Sequence, residues 1–154
     1  MSIKIKHVGV RDVTFGQNVT VVEPSNLYEC SLGHDVFVGP FVEIQRGVKI
    51  GTNTRIQSHT FICELVSIGS NCFIGHGVMF INDTFQDGKP AGGDQEKWCK
   101  TEIGNNVYIG SNATILPVSI CSGVVVGAGA VVTTDIVEPG KYYGNPARRN
   151  GAQL

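Results

Sequence analysis

Residues 32–79 read LGHDVF VGPFVE IQRGVK IGTNTR IQSHTF ICELVS IGSNCF IGHGVM when divided into sixes. Every block opens on Leu, Val or Ile. The fifth place holds only Val36, Val42, Val48, Thr54, Thr60, Val66, Cys72 and Val78. The second place is Gly in five of the eight blocks, too often for chance. An α-helix has a period of 3.6 and cannot keep one face aliphatic at every sixth residue. A plain strand alternates with period two and needs no glycine punctuation. A period of six fits a coil of three short flat strands joined by three tight turns, 18 residues per coil. The first position points to the axis. The fifth is small because it also packs inward, near a corner. Glycine is expected to supply turn conformations with φ > 0. Cys30 and Cys72 fall on the small inward position and are expected to fill core. A single coil cannot bury its own faces, so coils stack in parallel. The expected fold is all-β: a left-handed parallel β-helix in one domain, residues 1–154.

The phase resumes with IGNNVY and IGSNAT from Ile103 and with VGAGAV from Val126, giving about six coils in all. Ile115–Ser119 (ILPVS) is one residue short before Ile120 restarts the phase. Residues 82–102, NDTFQDGKPAGGDQEKWCKTE, abandon the repeat. They read as an external loop leaving a corner, and a long loop on a tight scaffold is where function concentrates. Residues 138–154 read as a short C-terminal tail.

Composition narrows the function. Charged residues are 16% of the chain and the formal net charge is −1, which offers no basic surface for nucleic acid or an anionic membrane. Glycine, 20 of 154 residues, is nearly twice its usual share and is spread along the chain, as turns require. The amino-terminal stretch has no apolar signal-peptide region, and no apolar run approaches the length of a membrane span. The five cysteines show no zinc spacing. A cytoplasmic protein with reduced thiols and no metal is expected.

Three stretches carry a resemblance: IGSNATILP (109–117), VGAGAVVTTD (126–135) and YYGNPARR (142–149). In this order they resemble the hexapeptide-repeat acyltransferases that use coenzyme A, and the likeness spans residues 30–149. It implies a homotrimer with acetyl-CoA as co-substrate, lying between neighbouring subunits parallel to the helix axis. The implied cofactor contacts are Tyr108, Gly110, Ser111, Ala128, Thr133, Thr134, Arg148 and Arg149. Their chemistry is suitable. The small residues let an extended pantetheine arm approach the backbone, and the arginines suit the nucleotide phosphates. The family often has Lys where Thr134 stands, so one charge is absent.

The acceptor is read from the segment that enters the loop. Sugar O-acetyltransferases place a histidine there as general base. VMFIND (78–83) has none and resembles the N-acetyltransferases of nucleotide-linked (dTDP- or UDP-) amino sugars, which serve surface polysaccharide biosynthesis. That resemblance puts Asn82 on the sugar amine with Asp83 nearby. A neutral amine is already nucleophilic, so it can do without base assistance worth roughly 10²–10⁴-fold, given positioning worth about 7–11 kcal/mol. A backbone N–H near Gly110 is the expected oxyanion donor. His76 and His59 are expected near one corner on successive coils, as base or substrate contact. Glu64 is a further substrate-binding candidate. Three other readings stand beside this one. They are sugar O-acetyl transfer, a non-catalytic β-helix scaffold, and a zinc enzyme using His34, His59 and His76, which lack a paired zinc spacing.

Overall fold

The computed structural model describes residues 1–150, and the last four residues of the expected tail lie outside them. The chain winds as a parallel β-helix, as the repeat predicts. Three sheets run along it, of seven, six and eight strands. Sheet 1 holds Val10–Arg11, Asn26–Tyr28, Glu43–Ile44, Phe61–Ile62, Met79–Phe80, Thr114–Ile115 and Val131–Val132. These strands open coils 1 to 7, one more coil than the repeat count suggested. The difference lies at both ends. Val10–Arg11 already pairs with coil 2. Gly140–Tyr143, within the stretch read as a tail, pairs with Val124–Val126 and carries an antiparallel strand, Arg148–Arg149. Both segments lack the aliphatic-glycine signature, so periodicity could not find them.

All sixteen residues at the first and fifth places of blocks 32–79 are buried. The two threonines among them stay satisfied: Thr54 Oγ1 donates to the Gly69 carbonyl (2.8 Å) and Thr60 Oγ1 to that of Gly75 (2.9 Å). Cys30, Cys63 and Cys72 are core residues. Burial pushes the Cys30 thiol up to about 11 and the Cys63 thiol up to about 12, so neither is a ready nucleophile.

Glycine has two jobs here, and the regular one differs from the expectation. Second-place glycines do not take positive φ. They let one coil approach the next: a Cβ on Gly51 would lie 2.5 Å from the Gly69 carbonyl carbon, and one on Gly75 would lie 2.7 Å from the Ile109 oxygen. The left-handed conformation belongs to the fourth place. Asp35, Phe41, Gly47, Asn53, His59, Leu65, Asn71 and Gly77 all have φ between 50° and 75°.

Strand register counts the residues per coil. It is 18 between Arg55 and Phe73, 35 between Phe73 and Tyr108, and 17 between Tyr108 and Val125. The jump is the loop, and the short step is the residue missing from ILPVS. Thr101 and Glu102 pair with Val66 and Ser67, so the loop closes sooner than expected, after Lys100. It leaves the corner between sheets 1 and 2. Its ends are tied by the Cys99 N–H donating to the Asn82 carbonyl (2.9 Å). A short 3₁₀ turn, Gln95–Lys97, is capped by Asp94. Asp83 organises the rest: its two carboxylate oxygens accept from the N–H groups of Phe85 (2.9 Å) and Ala91 (2.8 Å).

Two outcomes follow from this geometry. In urea unfolding at fixed protein concentration, Gly51→Ala should lose about 3 kcal/mol, as overpacking against backbone does. Gly47→Asn, in an open left-handed slot, should lose under ~1 kcal/mol. For the loop, Asp83→Ala should open new protease cleavage between residues 84 and 94, read by mass spectrometry, while the β-helix melts within a few degrees of wild type.

Candidate functional site

The three outward faces differ. Sheet 2 presents a polar column of Thr14, Ser31, Lys49, Ser67, Glu102 and Ser119. Sheet 3 presents Phe37, Arg55, Phe73, Tyr108 and Val125 in register. Sheet 1 presents Phe61, Met79, Thr114 and Val131. The columns of sheets 3 and 1, largely aromatic and aliphatic but with Arg55, Thr114 and Glu43 among them, flank the corner between those two sheets.

Several expected residues meet on it. The Gly77 N–H donates to the Ser58 carbonyl (3.0 Å), which stacks the corner of His76 on that of His59. His76 Nδ1 lies 3.4 Å from Ser111 Oγ, and the Asn112 N–H donates to the His76 carbonyl (2.8 Å). The Gly129 N–H donates to the Ser111 carbonyl, which adds Ala128 to the column. A Cβ on Gly110 would collide with the Ala128 backbone nitrogen. Gly110, Ser111 and Ala128 therefore stack as a column of small residues on the corner, with Tyr108 beside it on sheet 3, 48% exposed. The Gly110 N–H donates to the Val126 carbonyl (2.8 Å), so it belongs to the coil ladder and is not spare for an oxyanion.

The fourth-place residues separate this corner from the others. Between sheets 2 and 3 the left-handed slot holds Asn18, Asp35, Asn53, Asn71 and Asn106, residue types that tolerate it. Their side chains ladder, Asn18 to Asp35 (3.1 Å) and Asn53 to Asn71 (2.9 Å). Between sheets 3 and 1 the same slot holds Gly77, Asn112 and Gly129 on the later coils but Phe41 and His59 on the earlier ones, with ring centroids 5.0 Å apart and planes tilted by 38°. A bulky residue at positive φ is strained, and such strain gathers at functional sites. Sequence reading missed Phe41, although its fourth place in VGPFVE was the available signal.

Asn82, Asp83 and Glu64 stand elsewhere, at the corner between sheets 1 and 2, on the far edge of sheet 1 from His76. Asn82 Nδ2 donates to the Glu64 carbonyl (3.2 Å). Gln95 from the loop reaches Glu64 Oε2 (3.5 Å), and Gln45 Oε1 accepts from the Glu64 N–H (3.3 Å). Gln45 and Gln95 were not foreseen, because only the fold brings them to Glu64. Asp83 is engaged within the loop, as described.

The expected cofactor residues are likewise divided. Thr133 and Thr134 follow the last sheet 1 strand and sit on the Asn82 side. Arg149 is held by Glu138 (2.6 Å) and the Pro139 carbonyl (3.0 Å). Arg148 is exposed, and its guanidinium bonds the Ala147 carbonyl (2.9 Å). Among the described residues, no three His, Cys, Asp or Glu side chains are placed to share a metal ion, and no helix is long and apolar enough to cross a membrane.

The chain is similar to the bifunctional protein GlmU of Clostridium kluyveri, 29% identical over 143 residues, which are 89% of this chain and 28% of that protein. It therefore spans under a third of the curated relatives it matches. A mutant of perosamine N-acetyltransferase from Caulobacter crescentus, solved with CoA and GDP-perosamine, superimposes with a TM-score of 0.73 at 23% identity, covering 89% of this chain and 58% of that one. A mutant of AntD, an N-acyltransferase from Bacillus cereus solved with dTDP and coenzyme A, gives 0.72 at 24% identity, covering 92% and 84%. Residues 29–64 match the bacterial transferase hexapeptide (six repeats), and residues 65–79 and 100–134 match the hexapeptide repeat of succinyl-transferase. Repeat, coil geometry and these matches over more than half of the sequence agree that the chain belongs to the bacterial hexapeptide-repeat transferase family.

Proposed function

We propose that the chain is an acetyl-CoA-dependent N-acetyltransferase acting on the amino group of a nucleotide-linked amino sugar. The observation that carries this reading is the Asn82–Glu64 contact at the mouth of the loop. The donation to the Glu64 carbonyl fixes the Asn82 amide and turns its Oδ1 the other way, as an acceptor for a sugar N–H. The Glu64 carboxylate beside it attracts an ammonium ion. Neither group is the histidine base that a hydroxyl acceptor needs. The solved relatives support the same class, since their ligands are CoA with GDP-perosamine and CoA with dTDP.

Acetyl-CoA supplies a thioester carbonyl. The neutral amine attacks the carbonyl carbon, the C–N bond forms, the C–S bond breaks, and the amine's proton leaves with the thiolate. The Gly110–Ser111–Ala128 column suits an extended arm because it has little side chain to displace. Tyr108 and Arg148 lie toward its ends. Thr133 and Thr134, on the Asn82 side of sheet 1, and Arg149, paired with Glu138, complete the proposed cofactor set. His76, His59 and Asp83 complete the acceptor set, with Asp83 acting by holding the loop.

These groups occupy two corners of one chain. A homotrimer, in which one copy sets its Asn82 corner against the next copy's His76 corner, would unite them. The role proposed for the product is surface polysaccharide biosynthesis in the cytoplasm.

The test is acceptor chemistry. Thiol release from acetyl-CoA is followed with dTDP-, UDP- and GDP-linked amino sugars and with their hydroxyl counterparts. The amines should react, faster as pH rises and the ammonium fraction falls. Turnover of the hydroxyl sugars alone would overturn the proposal. Asn82→Ala should lower kcat/KM about 30-fold, the loss of one hydrogen bond to a charged or reacting group, about 2 kcal/mol.

A further inference from the structure

The N-terminal coils hold a cavity of about 810 Å³ that the repeat did not announce. It lies along the corner between sheets 1 and 2, on the coils preceding the loop. Its wall runs from Lys6, His7 and Arg11 at one end, past Tyr28 and the Arg46–Glu29 pair, to Glu64 at the other. The volume falls in the range of small-molecule sites.

Its charges are segregated. Arg46 and Glu29 neutralise each other midway, through bonds of 2.6 and 3.2 Å. At the N-terminal end Lys6 and Arg11 face one carboxylate, Asp12. Arg11 is held in place, donating to the His7 carbonyl (3.0 Å) and to Asn26 Oδ1 (3.2 Å), with its guanidinium 5.4 Å above the Tyr28 ring. At the loop end stand Glu64 and, on the next coil, Asn82. Asn26 and Gln45 both donate to the Glu43 carboxylate, and Gln45 accepts from the Glu64 N–H, so the two ends are linked through two amides and a carboxylate whose oxygens they occupy. Coils rise about 4.8 Å, so Arg11 on coil 1 and Glu64 on coil 4 are about 14 Å apart along the axis. The cavity is thus positive at one end and negative at the other, and long enough for a sugar ring followed by a diphosphate. A nucleotide-linked amino sugar has the complementary polarity, an ammonium at one end and phosphates beyond it.

We propose that this cavity holds the nucleoside-diphosphate part of the acceptor, with its phosphates on Arg11 and Lys6 and its amino sugar reaching Glu64 and Asn82. The assignment rests on the acceptor class proposed above. Tyr28 adds a phenol O–H for a phosphate or ribose oxygen. Burial first, then Glu43 and Glu64, raise its pKa and keep that proton on. Arg11 is a binding residue in this scheme, remote from the reacting carbonyl.

The test separates binding from turnover. Calorimetry with UDP, dTDP and GDP should show at least one binding to the wild-type protein, and at least 10-fold weaker binding to Arg11→Met and Lys6→Met, both exposed positions whose melting temperature serves as the folding control. Kinetically, Arg11→Met should raise KM for the nucleotide-linked amino sugar about 10-fold. It should leave KM for acetyl-CoA unchanged, and also the slow rate with the free amino sugar. Equal losses with both acceptors, or unaltered diphosphate affinity in both variants, would overturn the cavity assignment while leaving N-acetyl transfer standing. Diphosphate binding that depends on Arg11, with no thiol released by any amine, would do the reverse.

Discussion

The whole molecule depends on how closely one coil can lie on the next. Parallel ladders on three sides require a rise near 4.8 Å at the corners as well as along the strands. At the corners the backbone turns, and where the second place is Gly the next coil leaves no room for a Cβ, while Gln45, Gln57 and Cys63 hold the other three second places of residues 32–79. Gly51, Gly69, Gly75, Gly104 and Gly110 would each drive a Cβ into the backbone of the following coil. The fourth place completes the turn by adopting the left-handed region, where Asn, Asp and Gly are cheapest. The aliphatic core then follows, since every first and fifth place is carried inward by this turn geometry. A substitution that prevents close approach therefore acts on two coils at once.

That dependence explains what could be read from the sequence. The period of six, the core residues, the loop and the shortened ILPVS step were all legible, because each follows from one rule applied coil after coil. The role of glycine was only half legible. Composition shows that Gly is required but does not distinguish close approach from positive φ, and both operate here at different places of the same block. The ends were not legible. Val10–Arg11 and Gly140–Tyr143 join the sheets without the signature, because a terminal coil has one neighbour and so fewer positions under the packing rule. Arg11, Tyr28 and Arg46 belonged to no motif. They become a cavity wall only when coils 1 to 4 bring together residues some 17 or 18 apart in the chain.

The same rule exposes the places where it is broken. Between sheets 2 and 3 the left-handed slots carry a ladder of asparagines and Asp35. Between sheets 3 and 1 they carry Phe41 and His59 beside Gly77, Asn112 and Gly129, and between sheets 1 and 2 they carry Glu29 and Leu65 beside Asp12 and Gly47. Strained conformations of such residues persist when the surrounding structure holds them. Two corners of three thus depart from the cheap solution, at two slots each. They are also the two that border sheet 1 and that hold the small-residue column, the loop and the cavity.

This arrangement constrains how a complete site can be made. His76 and Asn82 lie at opposite edges of Met79–Phe80, and a rigid β-helix cannot fold one corner onto another. One chain therefore offers two unlike surfaces: a small-residue corner beside Tyr108, and a polar cavity ending at Glu64. A two-fold dimer pairs a surface with itself and would bring like corner to like corner. A ring uses heterologous contacts, in which one patch meets a different patch of the next copy, and repeats that contact until it closes. Only the second kind of assembly joins unlike halves, and each contact in it creates one complete site. On the proposed reading that ring has three members, each turning its two candidate corners toward its neighbours. In it, the thioester arrives along one subunit's small-residue column and the amine from the other's cavity. Holding both reactants against rigid walls supplies the proximity that a reaction without a general base requires.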